Sequence, residues 1–320
     1  MMFRLSLATL VATIPWVQCH FTFVRIFHNG EWKEPLQYIR YLSPLYALCP
    51  SNARIRNKTN NFYEPSTNYA GMPERGYNNP TFFTDYPESV RCGRDNMAWA
   101  TKTDVLKIKA GDTLEVAHQR YEPPDWRDNQ WYNCPNRRGA CDPPTAYMDI
   151  NHPGPFLVHL SKVPEGEDVR SYDGSGDWVK IHTLGMEYRE NNTKTPVFWI
   201  PWNNQQEPAR FVFNVPPQTP AGQYLMRLDI IWSGFIPQGD GTFPPILGQM
   251  YPSCAQIEIE SDSSGPLPRG VRIPEIFSPN STGMTTSLAM YRNTALDQDY
   301  EYPGGPIWDG EKLNTDKPAV

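Results

Sequence analysis

The stretch VLKIKAGDTLEVAH, residues 105–118, decides how the rest of the chain is read. Apolar and polar residues alternate on both sides of Ala110-Gly111-Asp112, which predicts two half-buried strands around a turn. The same texture recurs outward from it, in HFTFVRIF (20–27), PFLVHLSKV (155–163), WVKIHTL (178–184), ARFVFNV (209–215), QYLMRLDIIW (223–232) and CAQIEIE (254–260). Roughly seven strands at irregular spacing, with no convincing amphipathic helix, predict an all-β fold. An antiparallel, immunoglobulin- or fibronectin-like β-sandwich with long loops fits that pattern.

Composition points the same way. The 33 prolines are about a tenth of the chain, twice the ordinary ~5%, and proline lacks the amide donor that a helix interior needs. Four proline- and aromatic-rich loops separate the runs, at 28–104, 119–151, 185–208 and 233–250. Loops of that length are uncommon unless they serve a function or are disordered. SDSSGPLPRG (261–270) reads as a domain edge, and residues 261–320 as an extension that wraps the sandwich or hangs loose. No Ser/Thr-rich linker leads to a cysteine-bearing module, and no internal repeat is visible.

The N-terminus reads as a secretory signal over 1–19. Arg4 gives a short basic region, Leu5 to Val17 an apolar stretch, and Val17 and Cys19 the small residues before a cut. A cut after Ala12 would leave too short an apolar core. No other stretch approaches the ~18 apolar residues of a membrane span, so a secreted, extracellular protein and a monomer without membrane partner are expected. The formal charge of −6 argues against nucleic acid. Removal of the leader makes 20–260 the sandwich domain and His20 the first residue.

Five cysteines follow the leader. Cys134 and Cys141 are close enough to staple one loop, Cys92 and Cys254 flank most of the domain, and Cys49 is left over. Survival of Cys19 to pair with Cys49 is the alternative that an even count favours. Sequons at Asn57, Asn191 and Asn280 fit passage through a secretory pathway.

Of six histidines, His20, His28, His118, His152, His159 and His182, the first stands apart. An N-terminal histidine offers its α-amine and ring nitrogen to one ion, and a second imidazole completes three nitrogens. Such a nitrogen set in tetragonal geometry suits Cu(II). His152 heads His-Pro-Gly-Pro directly before a β run, and Tyr251 precedes Pro-Ser-Cys at the entry to the last strand.

These three stretches, His20, HPGP and QMYPSC, together with KAGDTLEV, WVKI and PAGQYLMR, resemble the fungal lytic polysaccharide monooxygenases of auxiliary-activity family nine. The resemblance covers most of residues 20–260, and YPGGPIWDGE is similar to extensions of some members. It implies one copper ion cycling between Cu(II) and Cu(I), held by the His20 amine and ring and by His152. Tyr251 would be axial and catalytic, with Gln249 a hydrogen-bond donor behind it. It further implies O2 or H2O2 as co-substrate, an external electron donor (a small reductant or a redox enzyme), and oxidative cleavage of cellulose or a related β-glucan. The family pairing of the last cysteine with an early one implies Cys92 with Cys254.

One position departs from the pattern. Family members carry Arg-x-Glu and then Leu-His in the strand that here reads MRLDIIWSG, so Gly234 stands where a histidine near the metal is expected. His159 or His182 would then fill the role, or the chain is a secreted copper- or carbohydrate-binding sandwich without turnover. Hydrolysis would need two carboxylates flanking one bond, and no stretch proposes such a pair.

Overall fold

A computed structural model of the protein describes residues 21–42, 80–119, 153–202, 210–235 and 246–319. The two strands around Ala110–Asp112 are present as β3 (Leu106–Lys109) and β4 (Thr113–Gln119), numbered in chain order after β1 (Thr22–His28) and β2 (Glu31–Trp32). They do not pair with each other. β4 lies between β1 and β9 (Phe211–Asn214), whereas β3 lies beside β13 (Ser253–Glu260) in a second sheet. The turn is therefore a corner between two layers. Gly111, at φ +94°, donates its N–H to Val215 O, and the Asp112 carboxylate takes the Lys109 N–H and the His28 ring.

The smaller sheet runs β2-β1-β4-β9. The larger sheet is built on β5 (Phe156–Lys162), β6 (Val179–Leu184) and β10 (Gly222–Trp232), and runs β16-β15-β6-β5-β10-β13-β3. Its outer strands β15 (Ile307–Trp308) and β16 (Leu313–Asn314) come from the segment after residue 260. Pairing is antiparallel at the centre, while β13–β3 and β15–β6 are parallel. Small pairs complete the pattern: β7 (Met186–Tyr188) with β8 (Val197–Trp199), β11 (Gly234–Phe235) with β14 (Thr285–Thr286), and β12 (Gln249–Met250) against the end of β10.

Burial explains the texture of the sequence. Phe23, Ile26, Leu114, Val116, Phe156, Val158, Phe211, Met226, Leu228 and Ile257 fill the space between the sheets. A second apolar layer, with Leu157, Leu225, Ile231, Met250, Phe277 and Met284, lies on the other face of the larger sheet. Strands β5 and β10 are thus covered on both faces, so they read as near-continuous apolar runs instead of alternating ones.

Two short helices, α1 (Pro87–Cys92) and α2 (Asn96–Ala100), lie in the stretch expected to be loop. Buried Arg40 anchors them: it bonds Gln256 on β13, Asn96 on α2, and the carbonyls of Val169 and Tyr172. Cys92, the last residue of α1, is joined to Cys254 on β13. The segment 261–319 packs along the larger sheet. Buried Lys180 of β6 pairs with Asp316 at 2.7 Å and donates to Pro303 O at 2.9 Å. A third helix, α3 (Leu288–Tyr291), lies in this segment and is capped by the Ser287 hydroxyl.

Candidate metal centre

Tyr251 is the described residue from which the site is built. β12 pairs with the end of β10, Ile231 opposite Met250 and Trp232 opposite Gln249, and the chain then turns through Tyr251-Pro252 into β13. This places Tyr251 at one edge of the inter-sheet core, with only 2% of its surface exposed. Its ring stacks on Phe21 at 4.7 Å and 20°, and its hydroxyl donates to Gln249 Oε1 at 2.8 Å. Phe21 precedes β1 and alternates with Phe23, so its ring turns inward, where His118 meets it edge-on at 5.2 Å.

The stretch after His152 arrives at the same place. The Ile231 N–H donates to Pro155 O at 3.2 Å, and Gly154 passes so close to β10 that a Cβ there would lie 2.0 Å from Ile231 O. Only glycine permits that approach. The residues after His152 and Gln249–Tyr251 therefore border the end of β10, and the residue after His20 stacks on Tyr251. His20 and His152 lie outside the described residues, as do Cys49, Cys134, Cys141 and Asn57. Among the described residues no group of three His, Cys, Asp or Glu could hold a metal ion. Phe21, next to His20, stacks on Tyr251, and Gly154–Pro155, just after His152, meet Ile231 opposite Met250, the residue before that tyrosine. Amine, imidazole and phenol donors suit copper better than an oxygen-seeking ion.

Charges behind Tyr251 fix its backbone. Asp229, fully buried, accepts the Tyr251 N–H on Oδ1 at 2.5 Å and pairs through Oδ2 with Arg227 at 2.6 Å. Arg227 also donates to Arg91 O and Val90 O in the disulfide-bearing helix, and its guanidinium lies over the Phe277 ring. Burial pushes the Asp229 carboxyl up to about 6, against the opposing pull of Arg227 and the Tyr251 N–H. Arg94, paired with Asp85, is near enough to Tyr251 for the two to interact. Burial lowers its guanidinium to about 10, with Asp95 and Tyr251 acting against that. The sequence reading missed Arg94 and this use of Asp229. The available signal was two opposite charges inside an apolar run, which a strand buried on both faces tolerates only as a pair.

The other histidines lie elsewhere. His159 is on the outer face of the larger sheet, donating from Nε2 to Gly304 O at 2.9 Å, and burial holds its ring well below the usual imidazole range. His182 sits between the Phe156 and Phe213 rings and is lowered to about 4 by burial. Gly234 has a steric explanation. A Cβ there would lie 1.9 Å from Ile246 O and 2.8 Å from Gly248 N, so the backbone entering β12 fills the space of any side chain.

Comparison with known proteins agrees with this geometry. The family model for Auxiliary Activity family 9 (formerly GH61) matches residues 20–300. AA9 family lytic polysaccharide monooxygenase C of Malbranchea cinnamomea is 32% identical over 224 residues, 70% of this chain and 76% of that protein. Monooxygenase G of Aspergillus tamarii is 26% identical over 308 residues, 95% of this chain and 71% of that one. Among solved structures, a cellulose-active polysaccharide monooxygenase from M. thermophila superposes with a TM-score of 0.54 at 18% identity, covering 91% of this chain and 99% of that one. The extended catalytic domain of H. jecorina LPMO9A gives 0.52 at 16%, covering 94% and 96%. These likenesses establish the fold, and the match over residues 20–300 reaches beyond the sandwich into the packed C-terminal segment. The chain belongs to Auxiliary Activity family 9 and is a copper-dependent lytic polysaccharide monooxygenase.

Proposed function

We propose that the exported chain begins at His20 and holds one copper ion through the His20 amine and ring and the His152 ring, beside Tyr251. Its substrate is cellulose or a related β-linked glucan, cleaved oxidatively with O2 or H2O2 and an external electron donor. The observation that carries this reading is that Gly154–Pro155 and Gln249–Tyr251 meet at the end of β10 while Phe21 stacks on Tyr251. Copper, when bound, supplies one-electron redox cycling, which zinc lacks.

The chain's own residues have definable tasks. The His20 amine must be neutral to donate, and an α-amino group ordinarily titrates near ~8, so metal competes with its proton. Gln249 accepts a hydrogen bond from the Tyr251 hydroxyl on Oε1, which fixes the orientation of the phenol. The Gln249 amide NH2 is left for the donor role that the resemblance implies. Phe21 covers the Tyr251 ring, and the buried Phe23 and His118 pack edge-on against Phe21. Asn191 and Asn280 sit on exposed turns, which supports both as glycan acceptors. No helix among the described residues is long and apolar enough to cross a membrane.

The test uses copper-loaded protein, shown by N-terminal sequencing to start at His20, with β-glucans and xylan in the presence and absence of ascorbate. Oxidised oligosaccharides that appear only with reductant are expected, and His152→Ala should weaken copper binding at least tenfold. The steric exclusion of a histidine at Gly234 favours a second reading, a metal- or carbohydrate-binding sandwich without turnover. Bound copper with no oxidised product on any glucan would select it.

A further inference from the structure

The segment after residue 260 is bonded to the strand that flanks the candidate metal centre. The Gly234 N–H donates to Met284 O at 2.9 Å, the Thr286 hydroxyl to Gly234 O at 3.2 Å, and the Ser233 hydroxyl to Gly283 O. β11 and β14 run parallel, Gly234 beside Thr285 and Phe235 beside Thr286. The following helix α3 ends at Tyr291, whose ring stacks on Trp232 at 5.0 Å and 17° and meets Phe235 at 4.4 Å. Trp232 is directly opposite Gln249 in the β10–β12 pair, so the two side chains share a face. Gln249 in turn holds the Tyr251 hydroxyl. One chain of neighbours thus runs from the C-terminal segment to the phenol: Tyr291 stacked on Trp232, Trp232 paired across the strands with Gln249, and Gln249 bonded to Tyr251.

We infer that Trp232, held by Tyr291, is a positioning residue for the Gln249–Tyr251 pair, so that the C-terminal segment completes the metal centre; this rests on the copper reading above. A polar side chain such as Gln249 has two rotatable bonds beyond Cβ, and its amide oxygen meets the phenol only while a neighbour fills the adjacent space. No side chain at Gly234 can be that neighbour, because the β12 approach occupies its volume. The indole is the side chain beside it, and an indole on a strand end needs a second surface against it to keep one rotamer. Tyr291 is that surface. Groups that orient a metal's surroundings change affinity or rate by roughly 10–100-fold when removed.

The test compares Cu(II)-loaded full-length Tyr291→Leu, Tyr291→Phe, Trp232→Leu and Trp232→Phe with wild type by electron paramagnetic resonance, copper titration and product release. Wild-type copper binding is measured first, and its failure would refute the copper reading without touching the contact chain. Given one bound copper, Tyr291→Leu and Trp232→Leu should shift the Cu(II) spectrum and slow product release about tenfold, while Tyr291→Phe keeps the wild-type spectrum. Leu313→Ala, on the exposed face of β16, controls for general loosening of the segment and should leave every readout unchanged. If either leucine variant fails to fold, Trp232→Phe, which keeps a ring against Tyr291 but withdraws indole from Gln249, replaces it. Wild-type spectra in the folded variants would overturn the inference.

Discussion

Arg227 and Asp229 show what a single residue contributes here. Both are fully buried in a strand covered on both faces, so each depends on the other and on carbonyl or amide partners for solvation. Arg227→Met would leave a carboxylate buried without its cation and should cost about 3–5 kcal/mol in denaturant unfolding. Arg227→Met with Asp229→Asn should recover most of that loss, because the amide oxygen still accepts the Tyr251 N–H; a double variant no more stable than the single one would contradict this. Residue identities made the proposed metal ligands legible as candidates, since His20, HPGP and QMYPSC are local signals. The Arg94, Trp232 and Phe21 contacts were not legible, because they join stretches far apart in sequence and depend on which strands become neighbours.

At the scale of elements, β10 is the member on which the others depend. It pairs with β5, β13 and β12, carries the Arg227–Asp229 pair, and borders the stretch that follows His152. Its disulfide neighbour β13 closes a loop of 162 residues between Cys92 and Cys254. Chain-entropy reasoning assigns such a loop about 5 kcal/mol, so the Cys92→Ser/Cys254→Ser variant should lose roughly 2–5 kcal/mol. Thermal unfolding under oxidising conditions would measure it, and an unchanged midpoint would refute the assignment. The longer strands, β1, β3, β4, β5, β6, β9, β10 and β13, were readable from the sequence within a residue or two, while β2, β7, β8, β11 and β12 lay in stretches expected to be loops. What the pattern concealed was the corner at Ala110–Asp112. A turn flanked by two strands looks the same whether they pair or diverge, and the Gly111–Val215 bond that decides it joins distant residues. The short strands after residue 260 were equally hidden, because two residues carry no periodicity.

At the scale of the whole molecule, two buried imidazoles, His159 and His182, resist protonation in the folded state. An unfolded chain protonates its histidines near ~6.5, whereas His182 does so only near 4 and His159 well below its usual range. Between those values the unfolded state binds more protons, so stability falls as pH drops through that window and recovers above it. His159 faces Arg227 and Lys180, which oppose a further positive charge, while Asp316 partly favours one at His182. For partly accessible His182 the loss amounts to roughly 1–2 kcal/mol after allowance for solvent screening. Melting temperatures should decline from pH 6.5 to 4, and His182→Gln should flatten part of the decline; a flat wild-type profile would refute this.

The Lys180–Asp316 bridge and the β15–β6 pairing also set an order of events in time. β6 leaves the ribosome long before the strand that covers its edge. Until residues 307–316 arrive, the nascent sheet presents an open row of amides and carbonyls, the kind of edge that recruits strands from other chains. The sandwich is therefore guarded against edge-to-edge association only once residues 307–316 have been made and paired with β6.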